Sequence, residues 1–217
     1  MNFKIIKSKL SEPLSLLASV AESRQSIPIL SNIFIKAGND LITLIATDLE
    51  IELSFKIACD SILESGETTV SARKIFDLTR SLPDDTSLEF MLKDNQLIVT
   101  ALKFNGEFAI LPIQDFPVVE IEKLDFETTF NGKVLADLID QTSFAMASQD
   151  VRYYLNGILI EIEGSNVNLV ATDGHRLAWA SESLMKNLDE NKLILPRKSA
   201  LELQKLLNLY PGEVNLS

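Results

Sequence analysis

The chain has one cysteine, one histidine and one tryptophan in 217 residues. A lone Cys59 cannot close an internal disulfide, so no disulfide framework is expected. It reads as a small core residue rather than a nucleophile. A lone histidine removes most metal and base-nucleophile arrangements, since a zinc site draws several ligands from His and Cys. Glycine is sparse, and no Gly-rich phosphate loop occurs. No apolar run approaches the roughly 18–20 residues of a membrane span. The amino-terminal stretch MNFKIIKSKLSEPL lacks the apolar core of a signal peptide. A cytoplasmic protein is expected. Basic residues are also in the minority: 20 Lys and Arg against 31 Asp and Glu leave a net charge of −11. Taken alone, that balance argues against a nucleic-acid binder, because phosphate contacts need Lys and Arg. It leaves open a local basic face on an acidic body.

What is present is a globular composition, 46% hydrophobic and 24% charged, with length for one large or two ordinary domains. It is also repetitive. Leu30-Ser31-Asn32-Ile33-Phe34-Ile35 aligns with Leu155-Asn156-Gly157-Ile158-Leu159-Ile160, and Ala46-Thr47-Asp48 aligns with Ala171-Thr172-Asp173. The offset is 125 residues in both places, without a gap. Two matches at one offset indicate an internal duplication.

Periodicity gives each copy the same order of elements. Asn2–Ile6 reads as a strand. Across Ser8–Glu22, Leu10, Leu14, Leu17 and Val20 form one apolar helical stripe, with Pro13 placed early. Strands are expected at Ile29–Lys36, Leu41–Ala46 and Ile51–Ile57, the first two a hairpin turned by Gly38-Asn39-Asp40. The unit then recurs: a strand at Thr68–Ser71, a helix at Ala72–Leu82, and strands at Ser87–Leu92, Leu97–Ala101 and Glu107–Leu111, with turns at Lys93-Asp94-Asn95 and Asn105-Gly106. Asp115-Phe116-Pro117 to Asp125 reads as a linker whose Phe and Pro pack on a domain. The expected domains are 1–121 and 122–217. In the second, Thr128–Phe130 is a strand and Lys133–Ala147 a helix. Leu155–Glu163, Asn166–Thr172 and Arg176–Ser181 follow as strands, separated by Gly164-Ser165 and Asp173-Gly174. Lys192–Leu195 is the next strand, Arg197–Leu207 a helix opened by Pro196, and Gly212–Ser217 resembles Ser87–Leu92. The second domain lacks the last strands of the first, so a longer natural chain is expected.

Thr172-Asp173-Gly174-His175-Arg176 invites a catalytic or metal reading. No second histidine and no nucleophile elbow support it. A hydrolase centred on Asp173 and His175 is the weakest alternative. Asp48, at the matching turn of the first copy without Gly or His, points to turn formation. The second turn differs by gaining Gly174 and the pair His175-Arg176. Beside Leu177 and the Thr172 methyl, these suit an apolar peptide anchor with a carbonyl or carboxylate partner. An ordinary charged surface turn fits the same residues. Basic residues gather on equivalent helices: Arg73, Lys74 and Arg80 against Asp77, and Arg197, Lys198 and Lys205 against Glu202. One basic face would result, for phosphate contact without base readout. Arg24 and Gln149 end the two first helices at the same offset.

These residues carry a family resemblance. Arg24, Ile27-Pro28-Ile29-Leu30, Ala46-Thr47-Asp48-Leu49-Glu50, Ala72-Arg73-Lys74, the run QDVRYYLNG from Gln149 to Gly157, Thr172 to Leu177 and Pro196-Arg197-Lys198 resemble the bacterial DNA polymerase III beta subunit, the sliding-clamp family. The resemblance covers the whole chain. It implies an α+β DNA clamp fold. Its domains each repeat two strand-helix-three-strand units, with helices lining the inner face and antiparallel sheets outside. The family has three such domains per subunit, so the third is absent from this chain. The resemblance implies a homodimeric ring around duplex DNA, a non-catalytic processivity factor without cofactor or metal. The implied partners are double-stranded DNA without sequence preference, the polymerase III catalytic subunit, the clamp loader complex, and other polymerases and repair proteins with a clamp-binding peptide. No membrane partner is implied. It implies DNA contacts at Arg24, Arg73, Gln149, Tyr153 and Tyr154. It implies a peptide pocket at Leu155, Thr172, Gly174, His175, Arg176 and Leu177, completed beyond residue 217. Lys74 and Phe108 would lie toward the partner's third domain. The alternative is a peptide- or protein-binding module that does not encircle DNA.

Overall fold

The structure is a computed structural model describing residues 1–21, 27–117 and 128–216, with side chains described except at 128, 184–189 and 216. Backbone contacts divide the chain into Met1–Glu120 and Ile121–Ser217.

The first unit starts from alternation. In β1 (Asn2–Ile6) Phe3 and Ile5 point to one face and are fully buried, the period of a half-buried strand. α1 (Ser8–Val20) turns Leu10, Leu14, Leu17 and Val20 into the same core. Its predicted early Pro13 is buried and lies past the first turn, where it forgoes a bond to the Lys9 carbonyl. β2 (Asn32–Gly38), β3 (Leu41–Thr47), β4 (Glu52–Ala58), β5 (Ser61–Glu64) and β6 (Gly66–Ser71) follow. α2 (Ala72–Arg80) is capped by the Ser71 side chain, which accepts from the Lys74 N–H. β7 (Ser87–Lys93), β8 (Gln96–Ala101) and β9 (Phe104–Ala109) end the unit. Two antiparallel sheets result, in the orders β5-β1-β7-β8-β9 and β4-β3-β2-β6. Phe3 stacks on Phe90 at 4.8 Å between ring centroids. Phe116 is buried against Ile29, Leu30 and Phe34, so the start of the expected linker is packed.

In the second unit β10 (Thr128–Asn131) leads into α3 (Gly132–Ser143), where the Asn131 side chain accepts from Lys133 and Val134 N–H. β11 (Gly157–Thr172), β12 (Leu177–Pro196), α4 (Arg197–Leu209) and β13 (Glu213–Leu216) complete it. α1 packs on α2 in the first unit, and α3 packs on α4 in the second.

The duplication is written into the strand registers. Asn32 pairs with Ser71 and Thr47 with Glu52. Adding 125 to each number gives Gly157 with Pro196 and Thr172 with Leu177, and both pairs are present in the β11–β12 ladder. Ile5 pairs with Leu88, and Phe130 pairs with Val214. Left-handed backbone recurs too: Asn39 and Gly164 have φ of 53° and 59°.

Several expectations need correction. The two strands expected at Leu155–Glu163 and Asn166–Thr172 are one strand, β11, which starts only at Gly157 and whose register shifts on either side of Gly164. Arg176–Ser181 and Lys192–Leu195 likewise fall largely within β12, and His175 and Arg176 belong to the turn before it. Tyr153–Leu155 and Pro28–Ser31 are short 3₁₀ turns rather than strand starts. The turn expected at Asn105-Gly106 is at Leu102-Lys103, and Gly106 lies inside β9. A Cβ at Gly106 would stand 2.4 Å from the Phe104 ring, so this glycine makes room for an aromatic rather than a bend. α3 stops at Ser143 instead of Ala147, and β5 was not expected.

Candidate functional site

The two copies of the Ala-Thr-Asp turn can be compared atom for atom. In the first, Asp48 Oδ1 accepts from the N–H groups of Glu50 at 2.9 Å and Ile51 at 2.8 Å, and Thr47 Oγ1 accepts from Leu49 N–H at 3.0 Å. In the second, Asp173 Oδ1 accepts from His175 N–H at 2.9 Å and Arg176 N–H at 3.0 Å, and Thr172 Oγ1 accepts from Gly174 N–H at 3.1 Å. Both aspartates therefore build turns, as short polar side chains do by mimicking backbone. The backbone N–H of His175, then that of Arg176, hold the Asp173 carboxyl below its ordinary range. Such a carboxylate is a poor proton acceptor. Among the described residues no group of three metal-ligating side chains occurs.

The third residue of each turn is left-handed, with φ of 78° at Leu49 and 88° at Gly174. A side chain at that conformation costs roughly 1–2 kcal/mol, and glycine escapes the cost. Leu49 is exposed, so little burial opposes its removal. Leu49→Gly is expected to stabilise the first unit by about 0.5–1 kcal/mol net of glycine's chain entropy. Chemical denaturation checks this, by a higher midpoint at unchanged slope.

The segment joining α3 to β11 is fixed by its own polar groups. Ala147 N–H donates to the Leu155 carbonyl at 3.0 Å. Asn156 spans the loop: its Oδ1 accepts from Asp150 N–H at 3.0 Å, and its Nδ2 donates to the Asp150 carbonyl at 2.9 Å. Gln149 is left-handed with φ of 58°. Arg152 grips Asp150 through two bonds, Nε to Oδ1 at 3.0 Å and Nη2 to Oδ2 at 2.9 Å. With Val151 and Tyr153 96% and 82% exposed, the loop carries its large side chains outward. Tyr153 and Tyr154 meet edge to face at 6.0 Å.

Arg152 pulls the Asp150 carboxyl from 3.8 down to about 2. A depressed folded value means that the stabilisation is present above the ordinary carboxylate range and lost as pH falls through about 2. A side-chain carboxyl NMR titration is expected to leave Asp150 ionised until the pH is well below 3.8. A midpoint at the ordinary value would remove the pair.

The loop and the second turn enclose a cleft of about 490 Å³, lined by Phe144, Asp150, Arg152, His175, Arg176 and Arg197 among others. Arg176 Nε donates to Asp173 Oδ2 at 2.9 Å, and its guanidinium lies 5.7 Å from the exposed Phe144 ring, a cation–π contact. Arg197 Nη1 donates to the Met146 carbonyl at 3.2 Å. Of the six expected pocket residues, His175 and Arg176 line this cleft, while Leu155, Thr172, Gly174 and Leu177 do not. Leu155 is buried, and Leu177 opens β12 with 65% of its surface exposed. Of the expected DNA contacts, Gln149 lines the cleft, Tyr153 and Tyr154 are exposed beside it in sequence, and Arg73 stands exposed on α2 in the other unit. Arg24 lies outside the described residues. Phe144 is a cleft residue that sequence reasoning did not name; Arg197 was read only as a helix cation, and Asp150 and Arg152 only as members of the QDVRYYLNG run.

Three of the helix cations are locally paired. Arg73 and Arg80 both reach Asp77, at 3.0 and 3.8 Å, and flank Phe76. Lys205 meets Glu202 at 2.8 Å. Exposed pairs of this kind contribute at most about 1 kcal/mol, so they do not prevent a phosphate from competing. Cys59 is half-buried, and burial pushes its thiol up to about 11, which keeps it unreactive.

Comparison with known proteins places these units. Residues 1–120 match the family model of the DNA polymerase III beta subunit, N-terminal domain, and residues 129–217 match that of its central domain. The chain is 42% identical over 217 residues to the beta sliding clamp of Pseudomonas aeruginosa, covering all of this chain and 59% of the relative. It is 36% identical over 208 residues to that of Escherichia coli K12, covering 96% and 57%. A crystal structure of the Pseudomonas aeruginosa sliding clamp bound to griselimycin superposes with a TM-score of 0.94 at 42% identity, over 99% of this chain and 58% of that one. The chain thus spans under two thirds of the length of these relatives. By both domain matches and by identity across its whole length, it belongs to the DNA polymerase III beta subunit family, the beta sliding clamps.

Proposed function

We propose that this chain forms the first two domains of a three-domain subunit, and that two such subunits close a ring around duplex DNA. The ring is a cytoplasmic, non-catalytic processivity factor that tethers the polymerase III catalytic subunit. The observation that carries this reading is the match of both units, in order, to the N-terminal and central clamp domains. The paired helices of each unit would line the hole. Arg24, Arg73, Gln149, Tyr153 and Tyr154 would touch the duplex through phosphates rather than base edges, which permits sliding. A clamp loader complex would place the ring, and Lys74 and Phe108 would face the partner subunit's third domain.

The second half of the reading is a docking site for the short peptides of polymerases and repair proteins. It would comprise Leu155, Thr172, Gly174, His175, Arg176 and Leu177. A family relative crystallised with griselimycin supports a ligand site somewhere on this scaffold. The alternative, a peptide module that does not encircle DNA, draws on one observation: the described cations Arg73, Arg80 and Lys205 are already ion-paired.

Salt separates the two. Full-length protein is expected to hold linear duplex weakly, with affinity falling steeply as salt rises, and Arg24→Ala with Gln149→Ala to weaken that contact while leaving the fold intact. A module would bind a QLxLF-like peptide and ignore duplex at every salt concentration. Unchanged duplex affinity in the double variant would remove those two residues from the DNA face.

A further inference from the structure

We propose that Asp150 is a positioning residue for the peptide site, fixing the Arg152 guanidinium against Gly174 and cancelling its charge, so that Arg152 offers hydrogen-bond donors to neutral peptide acceptors rather than a free cation to phosphate. The inference rests on the peptide-docking reading above and deepens it.

Three observations carry it. The pair is bidentate, and Asp150 Oδ1 also accepts from the Arg152 backbone N–H at 2.8 Å. Planar two-point pairing fixes orientation as well as charge. The carboxylate is itself anchored, since Asn156 holds the Asp150 N–H and carbonyl at once. Second, Arg152 lies on the turn: a Cβ built at Gly174 would stand 3.3 Å from Nη2 and 3.7 Å from Nη1. Gly174 is needed for its φ of 88°, and its missing side chain leaves the guanidinium close room beside the turn. Third, the arrangement is confined to the second copy. The positions 125 residues before Asp150, Arg152 and Gly174 are Gln25, Ile27 and Leu49. The shared scaffold needs neither the ion pair nor the glycine, so both belong to what the second copy does differently.

The chemistry follows from counting donors. Arginine carries five N–H groups in a fixed fork. Nε and one from Nη2 are spent on Asp150, which leaves both Nη1 donors and one on Nη2. With the carboxylate alongside, the pair has no net charge. It suits a backbone carbonyl or a side-chain carboxamide. A phosphate would meet Asp150 as well as Arg152, and gains little. Exposing that cation should therefore move peptide and DNA in opposite directions.

The test uses full-length protein with a fluorescent QLxLF peptide and, separately, linear duplex. Asp150→Asn keeps the shape and removes the charge. The expected result is roughly tenfold weaker peptide binding, because the guanidinium is no longer held in place. Duplex binding is expected to tighten, with a salt dependence steeper by about one released counterion. A purely structural role would weaken both ligands. Parallel loss, or no change in either, overturns the proposal. Arg152→Gln is the second variant: it is expected to weaken peptide without tightening duplex, and tighter duplex binding would overturn the proposal. Leu177→Asp distinguishes failure of the underlying reading. If that variant binds peptide as the parent does, the docking site itself is misplaced, and the role of Asp150 falls with it.

Discussion

Leu177→Asp is expected to weaken peptide binding by roughly 2 kcal/mol, about thirtyfold. Leu177 is the first residue of β12, directly after the Thr172–Arg176 turn, and pairs with Thr172 across the ladder. Its side chain is 65% exposed, so the free protein has little packing to lose and should keep its stability within about 0.5 kcal/mol. A bound peptide that covers it gains most of a leucine's burial energy. Aspartate forfeits that gain and would bury a charge if covered. Anisotropy of a labelled peptide against both proteins, each folded by circular dichroism, measures the difference. Equal affinity would take Leu177 out of the site.

Phe3→Ala is expected to cost about 3–5 kcal/mol of folding stability, the largest effect of any substitution considered. Phe3 is 1% exposed and its ring stacks on Phe90 at 4.8 Å. It sits on β1, which is hydrogen-bonded on both edges, to β5 and β7. Neither strand can close on the void without breaking a ladder, so the cavity persists. Equilibrium urea unfolding gives the value. A cost under about 1 kcal/mol would mean that this core relaxes freely.

The parts of this fold legible in the sequence are those fixed by local chemistry. Asp48 and Asp173 announced turns because a short carboxylate after threonine can accept from the N–H groups two and three residues on, and both do. The duplication was legible because it runs through these turns without a gap. The α1 stripe of Leu10, Leu14 and Leu17 was legible because one helical face is buried. What escaped depends on contacts across distance. Asn105-Gly106 has the composition of a turn, yet Gly106 serves the Phe104 ring. β5 is four residues with no buried side chain, so alternation could not reveal it. The Asp150–Arg152 pair is an i, i+2 pair in a loop, where no periodicity marks charges as neighbours. The second turn was read as an apolar anchor; its cleft also contains three arginines, two aspartates and Phe144. Equivalent basic helices were visible as composition, but their pairing with Asp77 and Glu202 was an outcome of rotamers.

The central claim is encirclement, and topology tests it most directly. Full-length protein would be loaded by the clamp loader and ATP onto a singly nicked circular duplex, and gel filtration would follow protein and DNA together. A ring stays with the circle through high salt, because no phosphate contact holds it. A single restriction cut then releases it, because it slides off the ends. The account predicts retention before the cut and loss after it. Protein that leaves the circle as readily as the linear form would contradict it.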